Sequence, residues 1–132
     1  MTETEINKLK TINDIIYRLF MLRLLDNISV VDILLSKGYK NIAFYGYNNI
    51  CNIALHEYHN AGFNNSYIID KRAKEIIIDY PVFRLEDVSQ DYIDNTDVVL
   101  VCLSYFDDGL ISDIHKVINK DIVWIGDLVY EI

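Results

Sequence analysis

Proline, glycine and cysteine are all scarce in this sequence, which has one Pro, five Gly and two Cys among 132 residues. Few Pro and Gly, together with 52% hydrophobic residues, exclude a collagenous or disordered chain and predict a buried core. Cys51 and Cys102 lie inside apolar runs, which indicates reduced, buried thiols rather than the disulfide framework of a small secreted domain. The length is that of one domain and leaves no room for a separate substrate domain.

Basic residues are fewer than acidic ones: the sequence has 12 Lys and Arg, 20 Asp and Glu, and a net charge of −8. This balance would repel a phosphate backbone and an anionic membrane surface, so we expect no nucleic-acid partner. Eleven of the acids follow residue 85, where only Lys116 and Lys120 oppose them. Most of these acids fall at predicted element boundaries, which favours helix capping on a solvated surface over a metal site.

The beginning of the chain shows no export signal, because its first five residues are acidic where a signal peptide is basic. The densest apolar stretch, residues 15–25, contains Arg18 and Arg23 and is too short to span a bilayer. We therefore expect a cytoplasmic protein without membrane insertion.

An N-terminal helix is predicted over residues 5–25 from apolar positions three and four apart: Ile6, Leu9, Ile12, Ile16 and Leu19. Nine of the eleven residues 15–25 are apolar, which is more than one helix face can bury against a single domain. Two interpretations stay open at this point. The excess could pack against the same helix of a second copy in a homodimer, or the helix could be wedged between the sheet and the next segment.

The rest of the chain alternates between strands and helices. Ser29 and Gly38 bracket a short helix, and Gly62 ends another that begins near Ile50. Asp107 or Asp108 caps a third. Apolar runs predict strands over residues 41–45, 67–70, 82–84, 97–103 and 122–125, followed by a closing turn or short helix over 128–132.

This alternation predicts an α/β fold, a single Rossmann-like, doubly wound parallel sheet with strand order 3-2-1-4-5. A helical extension over residues 1–38 precedes the Rossmann-like domain over 39–132. In such sheets, ligands bind beyond the carboxyl ends of the strands, at the point where the strand order reverses. The residues expected at that edge are Gly46, Tyr47, Asn48, Asn49, Asp70, Lys71, Arg72, Ser104 and Tyr105.

The turn after the first strand has part of the layout of a dinucleotide-binding fingerprint. Gly46 follows the strand, and Asp70 lies 70 − 46 = 24 positions later, after the next strand. However, Asn48 and Cys51 stand where Gly-x-Gly-x-x-Gly has its second and third glycines. The asparagines could donate to an anion at the helix N-terminus. From the residues alone, a nucleotide site and a structural turn inherited with the fold both remain open.

Other chemistry is weakly indicated. Tyr67 and Lys71 have the Tyr-x-x-x-Lys spacing of short-chain dehydrogenases, but on a strand they are too far apart to cooperate. His56 and His59 are expected to be solvated residues on a helix face. Ser104 has no histidine base nearby in the sequence and is interpreted as a phosphate or sugar donor. No catalytic residue and no metal site are predicted.

Several segments carry a resemblance to a known class of domain: residues 40–46, 67–74, 78–82, 97–101 and 105–108. Over residues 30–132 the chain resembles the small Rossmann-like domains of bacterial surface-polysaccharide clusters, which occur alone or fused to glycosyltransferases and methyltransferases. It is also similar to the nucleotide-sugar-binding N-terminal domain of bacterial sugar N-acetyltransferases. The resemblance implies nucleotide or nucleotide-sugar binding, with Gly46 in the turn and Asp70 facing a ribose or base.

We therefore expect a non-catalytic nucleotide- or nucleotide-sugar-binding accessory module of bacterial glycan biosynthesis. A UDP-sugar and NAD are the candidate ligands. The expected partners are a second copy, bound through the N-terminal helix, and a glycosyltransferase or methyltransferase. One alternative is an enzyme that modifies a sugar nucleotide. Another is a protein-interaction and dimerisation module with a vestigial nucleotide crevice.

Overall fold

A computed structural model describes residues 2–130 of the chain. Five parallel strands form one sheet in the order β3-β2-β1-β4-β5, which confirms the predicted fold and strand order. In the centre of the sheet, Phe44 pairs with Ile68 on one side and with Leu100 on the other. The order therefore reverses between β1 and β4. The strands are β1 (Ile42–Tyr45), β2 (Ile68–Ile69), β3 (Val82–Phe83), β4 (Val98–Val101) and β5 (Asp121–Trp124).

Helices surround the sheet, and two of them begin at predicted caps. Ser29 and Asp32 form a reciprocal capping box at the start of the second helix, and Asp107 caps the fifth by accepting from the Leu110 amide at 2.8 Å. Gly38 and Gly62 have positive φ after the second and third helices, as expected. The helices are α1 (Glu3–Asp26), α2 (Val30–Ser36), α3 (Asn49–Asn60), α4 (Gln90–Asp94), α5 (Asp108–Val117) and α6 (Ile125–Tyr130), with 3-10 turns at Ala73–Glu75 and Leu85–Asp87.

The core has one apolar cluster on each face of the sheet, because neighbouring residues of a strand point to opposite faces. On β1, Phe44 belongs to the cluster formed with α1, α2, α3 and α6, whereas Ala43 belongs to the one formed with α4 and α5. Ile15 and Leu19 of α1 are part of the first cluster. The N-terminal helix therefore packs into the same core as the sheet.

Each strand differs from the sequence expectation by one to three residues in its bounds, and α4 and the two 3-10 turns were not predicted. β4 is shorter than predicted, and Asp97, just before it, accepts with its carboxylate from the amides of Lys40 and Asn41, both at 2.9 Å. The closing helix α6 begins at Ile125, directly after β5, and residues 131–132 lie outside the described part of the chain. Within residues 2–130, no helix has the length and hydrophobicity that crossing a membrane requires.

Candidate functional site

The parallel sheet places the predicted ligand-binding segments at one edge, beyond the carboxyl ends of β1, β2 and β4. The turn Gly46–Asn49 follows β1, Asp70–Arg72 follows β2, and Ser104 and Tyr105 follow β4. These segments surround the position where the strand order reverses, which is the usual ligand site of this fold class.

Gly46 is required by both its backbone angle and its surroundings. Its φ is +93°, in the region that other residues avoid, and its amide donates to the carbonyl of Ile69 at 2.8 Å. A Cβ at this position would collide with the side chain of Leu103. Leu103 thus covers the turn from the β4 side, where a bound nucleotide would need free space.

Asp70 is turned inward toward the backbone of the same turn. Its Oδ2 accepts from the Tyr47 amide at 2.8 Å, and its Oδ1 accepts from the Arg72 amide at 2.8 Å and from Arg72 Nε at 3.3 Å. Only 9% of this side chain is exposed. Burial acts to raise the pKa of Asp70, but these hydrogen bonds and the guanidinium outweigh it and hold the pKa below its ordinary value. Both oxygens are therefore occupied by donors of the chain itself.

Asn48 occupies the N-terminus of α3. Its Oδ1 accepts from the amide of Cys51 at 2.9 Å, and its Nδ2 donates to the carbonyl of Cys102 at 2.9 Å. One side chain thus caps the helix and bridges the two central strands where their order reverses. Arg72 adds a bond from Nη2 to the carbonyl of Tyr47 at 3.0 Å. We refer to Asn48, Asp70 and Arg72 together as the edge latch.

The edge latch changes what the turn can bind. An anion at a helix N-terminus is held by backbone amides that have no partner in the helix. Here the Cys51 amide is taken by Asn48, and the Tyr47 amide is taken by a carboxylate. A diphosphate that used these two amides would have to displace both side chains and would meet the negative charge of Asp70.

Lys71 and Arg72 are neighbours in sequence but reach different cavities. Arg72 lines a cavity of about 390 Å³ with Tyr47, Asn48 and Asn49, on the α3 side of the edge. Lys71 lines a separate cavity of about 460 Å³ with Tyr45, and Asp113 of α5 borders it. The two predicted cations therefore do not converge on one ligand.

The segment after β4 is placed against α1. The ammonium of Lys8 lies 5.9 Å from the ring centroid of Tyr105, and Ser104 precedes this exposed tyrosine. Trp124 anchors the segment by donating from Nε1 to the carbonyl of Leu103 at 2.9 Å. Tyr105 thus faces the N-terminal part of α1.

Glu57, which lies between His56 and His59, was not predicted to be a functional residue from the sequence. Its side chain is 11% exposed, and its Oε2 lies 3.6 Å from Arg23 Nη2 of α1. Burial raises the pKa of Glu57 to about 7, and Arg23 opposes this only in part. The available signal was its position three residues after Ala54 and one before Tyr58, both of which face the core.

The two cysteines lie together at the same edge of the sheet. Cys51 and Cys102 are both fully buried, and burial raises the pKa of the Cys102 thiol well above its ordinary value, with the adjacent Cys51 thiol acting in the same direction. Neither has the exposed, positively charged surroundings that make a thiol reactive. Among residues 2–130, no group of three His, Cys, Asp or Glu side chains is arranged to hold a metal ion.

Comparisons with models of protein families, with curated proteins and with solved structures find no match to this chain. The assignment of function therefore rests on the residues and the geometry described above.

Proposed function

We propose that this chain is a protein-interaction module that associates with a second copy of itself along the outer face of α1. Its fold is Rossmann-like, but the edge latch engages two of the backbone amides that could otherwise hold an anion in the crevice of that fold. The observation that carries the proposal is a stripe of large exposed apolar side chains, interrupted by Asn13, on a helix whose opposite face is already buried.

The outer face of α1 carries five large exposed side chains, which we call the outer stripe: Ile6, Leu9, Tyr17, Phe20 and Leu24. At 100° per residue they fall within about 80° of arc and extend over about 27 Å of helix. The buried residues Ile15, Leu19 and Leu22 fall nearly opposite. Leu24 is 77% exposed. Contact of this apolar side chain with water is unfavourable in free energy, and covering it with another surface would remove that cost.

A second copy is favoured as the occupant by the charge of this helix. The molecule carries a net charge of −8, and two copies would repel each other across most of their surfaces. Within α1, however, four acidic residues are balanced by four basic ones: Glu3, Glu5, Asp14 and Asp26 against Lys8, Lys10, Arg18 and Arg23. The outer stripe therefore lies on a helix without net charge, where two copies can approach.

The proposal is tested by measuring the mass of the protein by light scattering after size exclusion, over a roughly hundredfold range of concentration. The wild-type chain should approach twice its mass of 15.4 kDa at the high end. Leu24→Lys should shift the equilibrium toward the monomer at least tenfold, because it places an ammonium in the contact.

Asn7→Lys is the matched control, since Asn7 is exposed on α1 but lies about 100° away from Ile6 around the helix. It adds the same charge to the same helix outside the outer stripe and should leave the dimer intact. A wild-type chain that stays monomeric, or a dimer that survives Leu24→Lys, contradicts the proposal.

Nucleotide or nucleotide-sugar binding is the second candidate function, and the cavity beside Arg72 favours it. About 390 Å³ is enclosed by Arg72, Asn49, Asn52 and the chain Glu75–Ile78, so that a guanidinium and amide side chains converge at the carboxyl edge. The resemblance to domains of polysaccharide clusters supports this candidate as well, with a UDP-sugar or NAD as ligand and a glycosyltransferase or methyltransferase as partner.

A thermal-shift panel of UDP, UDP-sugars and NAD, each at about 1 mM, tests this candidate. A ligand at ten times its dissociation constant stabilises the native state by about 1.4 kcal/mol. Arg72→Ala should abolish the shift, whereas Lys71→Ala should not, because Lys71 lines the other cavity. A panel without shifts rejects the candidate for these ligands.

A further inference from the structure

A second cavity lies away from the carboxyl edge, in the groove between α1 and α3. It has a volume of about 690 Å³ and also borders the start of α2. Leu19, Phe20 and Ile53 provide apolar walls, and Asn52, His56 and Asn60 provide polar side chains. This α1–α3 groove is larger than the cavity beside Arg72, and its mixed lining is typical of a small-molecule site.

Glu57 lines the groove and is poorly explained as part of the fold. Its Oε1 is buried and finds no hydrogen-bond partner among residues 2–130, and the contact of its Oε2 with Arg23 is long, at 3.6 Å. A buried carboxylate that serves stability is normally paired closely and fully hydrogen-bonded. Burial is the largest cause of the pKa of about 7, and Arg23 and a hydrogen bond with the side chain of Ser29 offset it only in part, which leaves Oε1 without a partner. The arrangement is typical of a functional site.

The charges around Glu57 restrict what can bind beside it. The guanidinium of Arg23 on α1 disfavours a cationic ligand, and Asp32 on α2, together with Glu57 itself, disfavours an anion. A ligand without net charge remains.

The hydrogen-bonding groups restrict the ligand further. The carboxylate of Glu57 accepts hydrogen bonds, the guanidinium of Arg23 donates them, and the side-chain amides of Asn52 and Asn60 do both. A ligand hydroxyl group can pair with any of these groups, because it both donates and accepts. The exposed ring of Phe20 adds a flat apolar wall against which the C–H groups of a saturated ring can pack.

We propose that the α1–α3 groove binds a neutral, hydroxyl-rich ring of the size of a hexose, with Glu57 accepting hydrogen bonds from its hydroxyl groups. The ligand packs against Phe20, and the amides at the rim of the groove bind its remaining hydroxyls. This site differs from the outer stripe and from the cavity beside Arg72, although Phe20 borders both the groove and the outer stripe, and Asn52 borders both cavities.

The proposal predicts a dependence on pH with a definite sign. Hydroxyl donors stabilise the ionised carboxylate, so affinity should rise as the pH passes upward through the pKa of Glu57, about 7. The titratable or charged groups facing Glu57 are Arg23 on α1, Asp32 on α2 and His56 on α3. Glu57→Gln removes the ionisable group at nearly constant shape and should remove this dependence.

The experiment is a titration of the ¹⁵N-labelled full-length chain with glucose, galactose and N-acetylglucosamine, each up to about 50 mM, at pH 6 and pH 8. The expected result is a saturable shift of the amide resonances of His56, Asn60 and Ala61, which line the groove and not the cavity beside Arg72, with at least one sugar and with tighter binding at pH 8. Glu57→Gln should weaken binding at pH 8 at least tenfold. His59→Ala is the control, because His59 lies on α3 outside the groove and should have no effect.

The same titration of Leu24→Lys separates this inference from the proposed self-association. Binding that persists in this variant supports the groove site whether or not the wild-type chain forms a dimer. The inference is overturned if none of the three sugars moves the groove resonances, if the shifts saturate only at another surface, or if Glu57→Gln binds as tightly as the wild type at pH 8.

Discussion

At the scale of single residues, hydrogen-bond partners decide what the carboxylates of this protein can do. Asp70 would be a ribose ligand by its position after β2, yet both of its oxygens are engaged by Tyr47 and Arg72. Glu57 lies on a helix face that the sequence analysis took to be solvated, yet it is buried with one oxygen unpartnered. Helical spacing indicates that Glu57 is near the core, but position in sequence does not indicate the hydrogen-bond partners of either carboxylate.

Replacing Glu57 by Gln should change how stability depends on pH. The pKa of Glu57 is raised from 4.5 in the unfolded chain to about 7 in the folded one, so the native state is penalised as the pH rises between these values. The free energy of unfolding of the wild type should therefore fall from pH 5 to pH 8 by up to about 3 kcal/mol more than that of Glu57→Gln. Urea denaturation at both pH values measures this.

Glu86→Gln is the control for this prediction, because Glu86 is exposed in the turn Leu85–Asp87. It should follow the wild type at both pH values. Parallel pH profiles for the wild type and Glu57→Gln would show that Glu57 carries no such penalty.

Asp70→Asn should loosen the edge latch. The amide that replaces one oxygen cannot accept from its protein donor, so we expect a loss of about 1–2 kcal/mol in the free energy of unfolding at pH 7. Because the pKa of Asp70 is lowered on folding, its contribution is present above its unfolded pKa and is lost as the pH falls through the folded value. The difference between variant and wild type should therefore shrink toward pH 3, whereas exposed Asp79→Asn should have no effect at pH 7.

At the scale of elements, α1 is a helix with two apolar faces, of which one is buried and the other is exposed. Ile15, Leu19 and Leu22 pack into the core formed with the sheet, whereas the outer stripe faces water. The excess of apolar residues in this helix was visible in the sequence. Which of them pack inward depends on the position of α3 and α6 beside the helix.

A matched pair of substitutions separates the two faces of α1. Leu22→Ala removes a buried side chain and should cost about 2–4 kcal/mol of unfolding free energy, because it leaves a cavity. Leu24→Ala, two residues later, should change the stability of the monomer by less than about 0.5 kcal/mol. Denaturation followed by the fluorescence of Trp124 at low concentration tests both, and an equal loss in the two variants would contradict the assignment of faces.

At the scale of the whole molecule, the sheet brings segments that are distant in sequence together, and hydrogen bonds between these segments join them at the carboxyl edge. Cys51 and Cys102 meet where the strand order reverses, and Asn48 ties the turn after β1 to the end of β4.

Both thiols should consequently react with a disulfide reagent only when the structure opens. Their reaction should be slow in the native protein and fast in denaturant, and Asn48→Gly should accelerate it because it removes that tie. Fast reaction of the native wild type would show that this edge is open.

Much of the fold could be predicted from the sequence, for identifiable reasons. Apolar runs of strand length, helical spacings of three and four, and cap residues such as Ser29 and Gly38 are local signals. Short connections and the right-handed crossover rule then restrict the topology to few possibilities. The order β3-β2-β1-β4-β5 follows from those restrictions.

The five strands, their order in the sheet, four of the helices and the edge that carries Gly46, Asp70 and Arg72 could be inferred from the sequence, whereas α4 and the 3-10 turns could not. The folded structure was needed to show that Asp70 and Arg72 bond to the turn after β1, that Lys71 and Arg72 enter different cavities, and that Glu57 is buried beside Arg23. The two kinds of information differ because local signals and tertiary contacts act over different separations along the chain. Periodicity and capping act over a few residues of one chain segment, whereas burial and hydrogen-bond partners depend on side chains that only folding brings into contact.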